Sequence, residues 1–201
     1  AHHRRLAERH GISLMCDSQS ALPPALRTLH QEILSAFVDT GRAPTTDWVA
    51  ERAVDLGVDD ALETLAAADL VHNDDGRVTV AYPFSGSPTP HVVRFDDGAA
   101  TWAMCAGDAL GIPPMTGRDA TITSSDAQTG EAIRIRCDGG HWTWDPTGVV
   151  MLVAPSSCAA TPSGLTTRPQ STAQVTRCTR GRPPSSETSA TWATVVSKEW
   201  C

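Results

Sequence analysis

Apolar positions recur at helical spacing from residue 21 onward. In "ALPPALRTLHQEILSAFVDTGRAP", Leu26, Leu29, Ile33, Leu34 and Phe37 fall on one helical face, Pro23 and Pro24 suit a first turn, and Gly41 closes the segment. "TTDWVAERAVDLG" predicts a second helix, with Thr46 as its cap and Gly57 at its end. "VDDALETLAAADLV" predicts a third, capped by Asp59 or Asp60. In "HNDDGRVTVAYPF" the period changes to two (Val78, Val80, Tyr82) beside an Asp-Gly turn, the mark of a hairpin. Three helices and a hairpin make a winged-helix-like unit over residues 21–84.

A second region, 88–155, predicts a small, mostly antiparallel sheet with one inserted helix. "HVVRF" reads as a strand, "DDG" as a turn, and "AATWAMCAGDAL" as a helix ended by Gly111 and the Pro113–Pro114 pair. "DATITSSD", "EAIRIRC", "HWTW" and "VVMLV" read as strands. The fold class is α+β. Residues 1–20 read as a polar tail or a helix fragment. From 156 to 201 the chain is rich in Ser, Thr, Pro and Arg with few apolar residues, too few to offset chain entropy. The shift after Val153 is abrupt, so this stretch is either a disordered tail or the product of a frame slip.

Charge changes this picture at one point. A winged helix suggests DNA, but the net charge is −7 and the third helix carries Asp59, Asp60, Glu63 and Asp69 without Lys or Arg. Phosphate repulsion argues against a nucleic-acid partner. No apolar run approaches the ~20 residues that cross a bilayer, and no signal-peptide pattern opens the chain, so the expectation is a cytoplasmic protein without a membrane partner. Six cysteines at wide, irregular spacing, with no CxxC pair, favour reduced thiols over a zinc ribbon or disulfide framework.

The candidate chemistry sits in "TWAMCAGDALGIPP". Cys105 and Asp108 are three apart, so on a helix they are neighbours. A thiolate bonds soft metals. The carboxylate would raise the thiol pKa by its charge, so its use must be as a proton carrier. That pairing fits cleavage of a bond to a soft metal; it also fits a half-buried cysteine of purely structural role. Trp102 and Met104 flank the cysteine as pocket walls or as core. Cys137 with His141 supplies two ligands, fewer than a zinc site needs. Cys16 and Cys201 lie in polar tails.

The stretch "VVRFDDGAATWAMCAGDALGIPPMTGRDATITSSDAQTGEAIRI", with its C-A-x-D-x-L block, resembles the core of the alkylmercury (organomercurial) lyase family, and the resemblance runs over about residues 21–155. It implies protonolytic cleavage of a carbon–mercury bond, releasing a hydrocarbon and Hg(II). Cys105 would be nucleophile and first mercury ligand, and Asp108 the proton carrier and a further ligand. The family's second cysteine follows the "VVMLVAP"-like strand. Here Cys158 is the nearest candidate, with Cys178 later, and both can also be read as free thiols. No organic cofactor is implied; mercury is substrate and product. Small-molecule thiols and a mercuric reductase accepting Hg(II) are the implied partners. The alternative is a non-catalytic homologue that binds a soft metal or serves as a winged-helix interaction module.

Overall fold

The computed structural model describes residues 15–126, 129–152 and 164–166. Its elements, in chain order, are α1 (Met15–Ala21), α2 (Pro24–Thr40), α3 (Thr46–Arg52), α4 (Val58–Ala67), β1 (Val71–Asp74), β2 (Arg77–Ala81), β3 (Phe84–Ser85), β4 (Val92–Phe95), β5 (Ala100–Ala103), α5 (Ala106–Thr116), β6 (Ala120–Ser125), β7 (Ala132–Asp138), β8 (His141–Asp145), β9 (Val150–Leu152) and β10 (Gly164–Thr166). The fold is α+β, as the pattern predicts. Among the described residues no helix is long and apolar enough to cross a membrane. The chain divides into two compact units. One holds the residues up to Thr89 together with Ala99–Met104, and the other holds Pro90–Gly98 and the residues from Cys105 onward.

In the first unit, α2 is the central element. The predicted face is buried through Leu26, Leu29, Ile33 and Phe37, while Leu34 is only half-buried. Full burial of such side chains contributes about 1.5–3 kcal/mol each. Phe37 stacks on Phe84 of β3, with ring centroids 5.5 Å apart. Val49 of α3 and Ala61, Leu62 and Leu65 of α4 complete the apolar interior with Val71, Val78 and Ala81 of the hairpin. The strands run antiparallel in the order β1-β2-β3-β5. Asp75 and Gly76 both take positive φ (49° and 75°), the backbone of the predicted tight turn. Two caps differ from expectation. The hydroxyl of Thr45, not Thr46, accepts from Trp48 N–H, and α4 starts after Gly57 with no side-chain cap.

The second unit alternates cleanly between two faces. The register pairs Phe95 with Ala120, Val93 with Ile122, Ile122 with Ile135, and Ala120 with Cys137. Those side chains are all buried and share one face of the antiparallel order β4-β6-β7-β8. Trp142 and Trp144 of β8 continue that face opposite Cys137 and Ile135. The other face carries Arg94, Thr121, Arg136 and Thr143. There Arg136 makes a bidentate pair with Asp96 of the "DDG" turn, its second nitrogen 2.7 Å from the carboxylate, which holds the Asp96 carboxyl below its usual range. Helix α5 packs on β4, β6 and β10.

Three expectations are corrected in this region. Ala100–Ala103 is strand, not helix, because it pairs with β3 (Phe84 with Ala103, Ser85 with Trp102). The helix that follows runs Ala106–Thr116, through Gly111 and through Pro113 and Pro114. Proline removes a helical hydrogen bond, but Ala106, Ala109, Leu110, Gly111, Ile112 and Pro113 are all buried, and that burial outweighs the lost bonds. Finally, Gly164–Thr166 lies inside the Ser/Thr/Pro-rich stretch yet forms a strand antiparallel to β9.

Two testable outcomes follow from the first unit. Gly41 ends α2 in the left-handed region (φ 68°), where a Cβ would run into the Ala100 carbonyl oxygen. Gly41→Ala should therefore cost at least about 2 kcal/mol by chemical denaturation, beyond the ~1–2 kcal/mol of the left-handed backbone alone. His30 on α2 is 1% exposed, and the Gln19 amide nitrogen, which can only donate, lies 3.2 Å from its Nδ1. Burial depresses the His30 pKa to about 4. The unfolded chain binds this proton more readily, so stability is complete above about pH 6.5 and falls as the pH drops toward 4. Between pH 7 and pH 4, wild type should lose on the order of 2–3 kcal/mol more than His30→Leu in parallel urea titrations.

Candidate functional site

Cys105 stands immediately before α5, with an extended backbone (φ −146°, ψ 177°), as the helix N-cap. Its Sγ occupies the place an oxygen usually takes and accepts from the Asp108 N–H at 3.4 Å. Asp108 is the third helical residue, where a carboxylate can reach back to the cap, and the two side chains are hydrogen-bonded to each other. The sequence pairing thus holds, but with different geometry: the thiol and the carboxyl meet across a helix start, not along a helix face. Residues one and four of such a turn converge because the extended cap residue folds its side chain over the first N–H groups.

The electrostatics of the pair are opposed. Cys105 is exposed as a residue, so a reagent can reach it; the protein packed around its sulfur nevertheless penalises the thiolate. Burial, then the charge of Asp108, then its hydrogen bond push the thiol up to about 11. The N–H groups of Gly107 and Asp108 act the other way and favour the thiolate. Burial also raises the Asp108 carboxyl, while its hydrogen bonds from Cys105 lower it. The free site at neutral pH therefore keeps the proton on sulfur.

The other sequence candidates separate from this pair. Cys158 and Cys178 lie outside the described residues. Cys137 is buried on the sheet, where it pairs in register with Trp142, while His141 sits opposite Asp138. Among the described residues, no three His, Cys, Asp or Glu side chains converge as a metal site. Trp102 and Met104 are both half-buried. Sequence reasoning missed a second sulfur. Met151 on β9 brings its Sδ to 3.6 Å from the position a Cβ on Gly107 would take, and Cys105 Sγ lies 3.6 Å from the same point. Nothing in the apolar run "GVVMLVAP" signals that approach, which the packing of α5 creates.

A family model described as alkylmercury lyase matches residues 84–169, a span that contains Cys105, Asp108 and Cys158. An alkylmercury lyase from Streptomyces lividans is 34% identical over 123 residues, covering 60% of this chain and 56% of that protein. Over residues 84–169 the chain is thus similar to the alkylmercury lyases. The mercury-bound form of MerB2 shares its fold, with a TM-score of 0.66 over 92% of this chain and 95% of that one, at 18% identity. Arginine–tRNA ligases of Acinetobacter baumannii are 28% identical over 102 residues, but that likeness covers only 17% of their length. This chain spans little more than half the length of the Streptomyces alkylmercury lyase. The family match also runs past residue 155 and through Cys158, farther downstream than the motifs quoted above reach.

The electrostatics yield a direct measurement. Alkylation of Cys105 by iodoacetamide, followed by peptide mass spectrometry, should rise with pH around 11. Asp108→Asn removes the charge and the carboxylate hydrogen bond, so the midpoint should fall; burial, the leading cause, should keep it above that of a free cysteine peptide. A wild-type midpoint at or below the free-peptide value would contradict this account.

Proposed function

We propose that this chain cleaves carbon–mercury bonds by protonolysis. The observation that carries the reading is the hydrogen-bonded Cys105–Asp108 pair at the start of α5, inside the span that matches the alkylmercury lyase model. The thiol holds its proton until a soft electrophile arrives. As Cys105 Sγ bonds the mercury of an organomercurial cation, the S–H proton passes to the Asp108 carboxylate beside it. The raised pKa of Asp108 suits that carboxyl to hold the proton and then deliver it to the carbon. The C–Hg bond breaks, the hydrocarbon leaves, and Hg(II) stays bound to sulfur with the freed carboxylate beside it. The Gly107 and Asp108 N–H groups offset the negative charge left on the sulfur.

Cys158 is the proposed second thiolate, supported by its place within the family match. Mercury is substrate and product, and no organic cofactor takes part. Small-molecule thiols remove Hg(II) by ligand exchange, with a mercuric reductase as downstream acceptor. A cytoplasmic setting, where thiols are abundant and reduced, fits these partners. The helices and hairpin of residues 21–84 serve in this reading as a winged-helix-like scaffold, their acidic surface ill-suited to DNA.

With phenylmercury and excess thiol, the protein should release benzene, measured by gas chromatography. Cys105→Ser should abolish release, and Asp108→Asn should slow it by at least ~10²-fold. Stoichiometric uptake of mercury without any hydrocarbon would replace this reading with that of a soft-metal-binding homologue.

A further inference from the structure

We propose that the Met151 thioether is a soft donor to mercury held at Cys105, across a notch that Gly107 keeps open. The proposal deepens the reading above and rests on it. Gly107 is the second residue of α5, and its missing side chain leaves a point 3.6 Å from both Cys105 Sγ and Met151 Sδ. The two sulfurs are therefore separated by at most twice that distance, with no other described side-chain atom within 4 Å of the point apart from the residues adjacent to Gly107. Met151 is half-buried, so its sulfur is neither sealed in the core nor free in solvent. Its backbone is fixed by pairing with Leu165 of β10, and β10 itself packs on α5.

The chemistry follows from the donor types. Thioether sulfur is a soft donor, matched to a soft metal ion, and it carries no proton and no charge. It can therefore supply electron density to mercury without releasing a proton into the site. It also adds no anion beside the Cys105 thiolate and the Asp108 carboxylate, where burial already penalises charge. Three rotatable bonds let the methionine sulfur close on a metal seated at Cys105 without moving the backbone.

The test uses the whole chain. Protein is labelled with selenomethionine, loaded with one equivalent of Hg(II), and studied by selenium-edge X-ray absorption. A mercury neighbour to selenium is expected in wild type and its loss in Met151→Leu, a measurement blind to mercury on other cysteines. In competition with glutathione, Met151→Leu should give up Cys105-bound mercury at roughly fivefold lower glutathione. Gly107→Ala separates the notch from the fold. An added Cβ at 3.6 Å makes ordinary contact with both sulfurs and strains no backbone, so the melting temperature should hold or rise. Mercury retention should fall, because the methyl occupies the gap. A Met151→Leu protein with unchanged retention, or wild type with no selenium–mercury neighbour, overturns the proposal. Mercury retained undiminished by Cys105→Ser overturns the lyase reading and takes this proposal with it; retention lost in Cys105→Ser but unchanged in Met151→Leu overturns only the proposal.

Discussion

The geometry of the Cys105–Asp108 pair depends on one contact, the thiol of Cys105 capping the first turn of α5 by accepting from the Asp108 N–H. Sulfur is a weak acceptor, and a helix start that relied on it alone would fray. Here the helix is held elsewhere. Ala109, Leu110, Ile112 and Pro113 are buried as α5 packs on β4 and β6. The helix start thus stays in place although its cap is poor, and the cap atom is left to be a reactive one. A serine or aspartate would cap better and would bind no soft metal. The second unit therefore gives up a small amount of local stability at a position where the surrounding sheet can absorb it.

The same packing explains what could be read from the sequence and what could not. Helix α2 was legible because its apolar period, its opening prolines and Gly41 all agree, and each acts within a few residues. The Asp75–Gly76 turn and strands β6 and β7 were legible for the same reason. Ala100–Ala103 was not. "ATWA" has no strong local preference, and its strand state comes from pairing with Phe84 and Ser85 far back in the chain. Nor was the course of α5 through two prolines, since the rule that proline breaks a helix gives way where the helix around them is held by burial, here of Leu110, Ile112 and Pro113, even though Pro114 is exposed. For the site, the spacing of Cys105 and Asp108 was enough to pair them, while the cap geometry needed the strand boundary just before it. The approach of Met151 depends on how α5, β9 and β10 pack, and no window of sequence contains it.

The cap geometry also orders the charges through the proposed reaction. Thiol and carboxyl are close enough to titrate as a pair, so their protons belong to the pair more than to either group. Burial raises both, and the carboxylate raises the thiol further. The resting pair thus carries a single negative charge, on Asp108. In the proposed protonolysis, an organomercury cation replaces the thiol proton, that proton moves to the carboxylate, and the site becomes neutral. After the proton leaves on carbon, thiolate and carboxylate both face a doubly charged metal ion, and the site is neutral again. At no stage does it hold two uncompensated anions, the state its surroundings penalise most. A further anionic donor would give the site a net negative charge at either neutral stage, whereas a neutral sulfur can approach the metal without doing so. The position of the Met151 thioether opposite Cys105 satisfies that electrostatic constraint without requiring another proton to move.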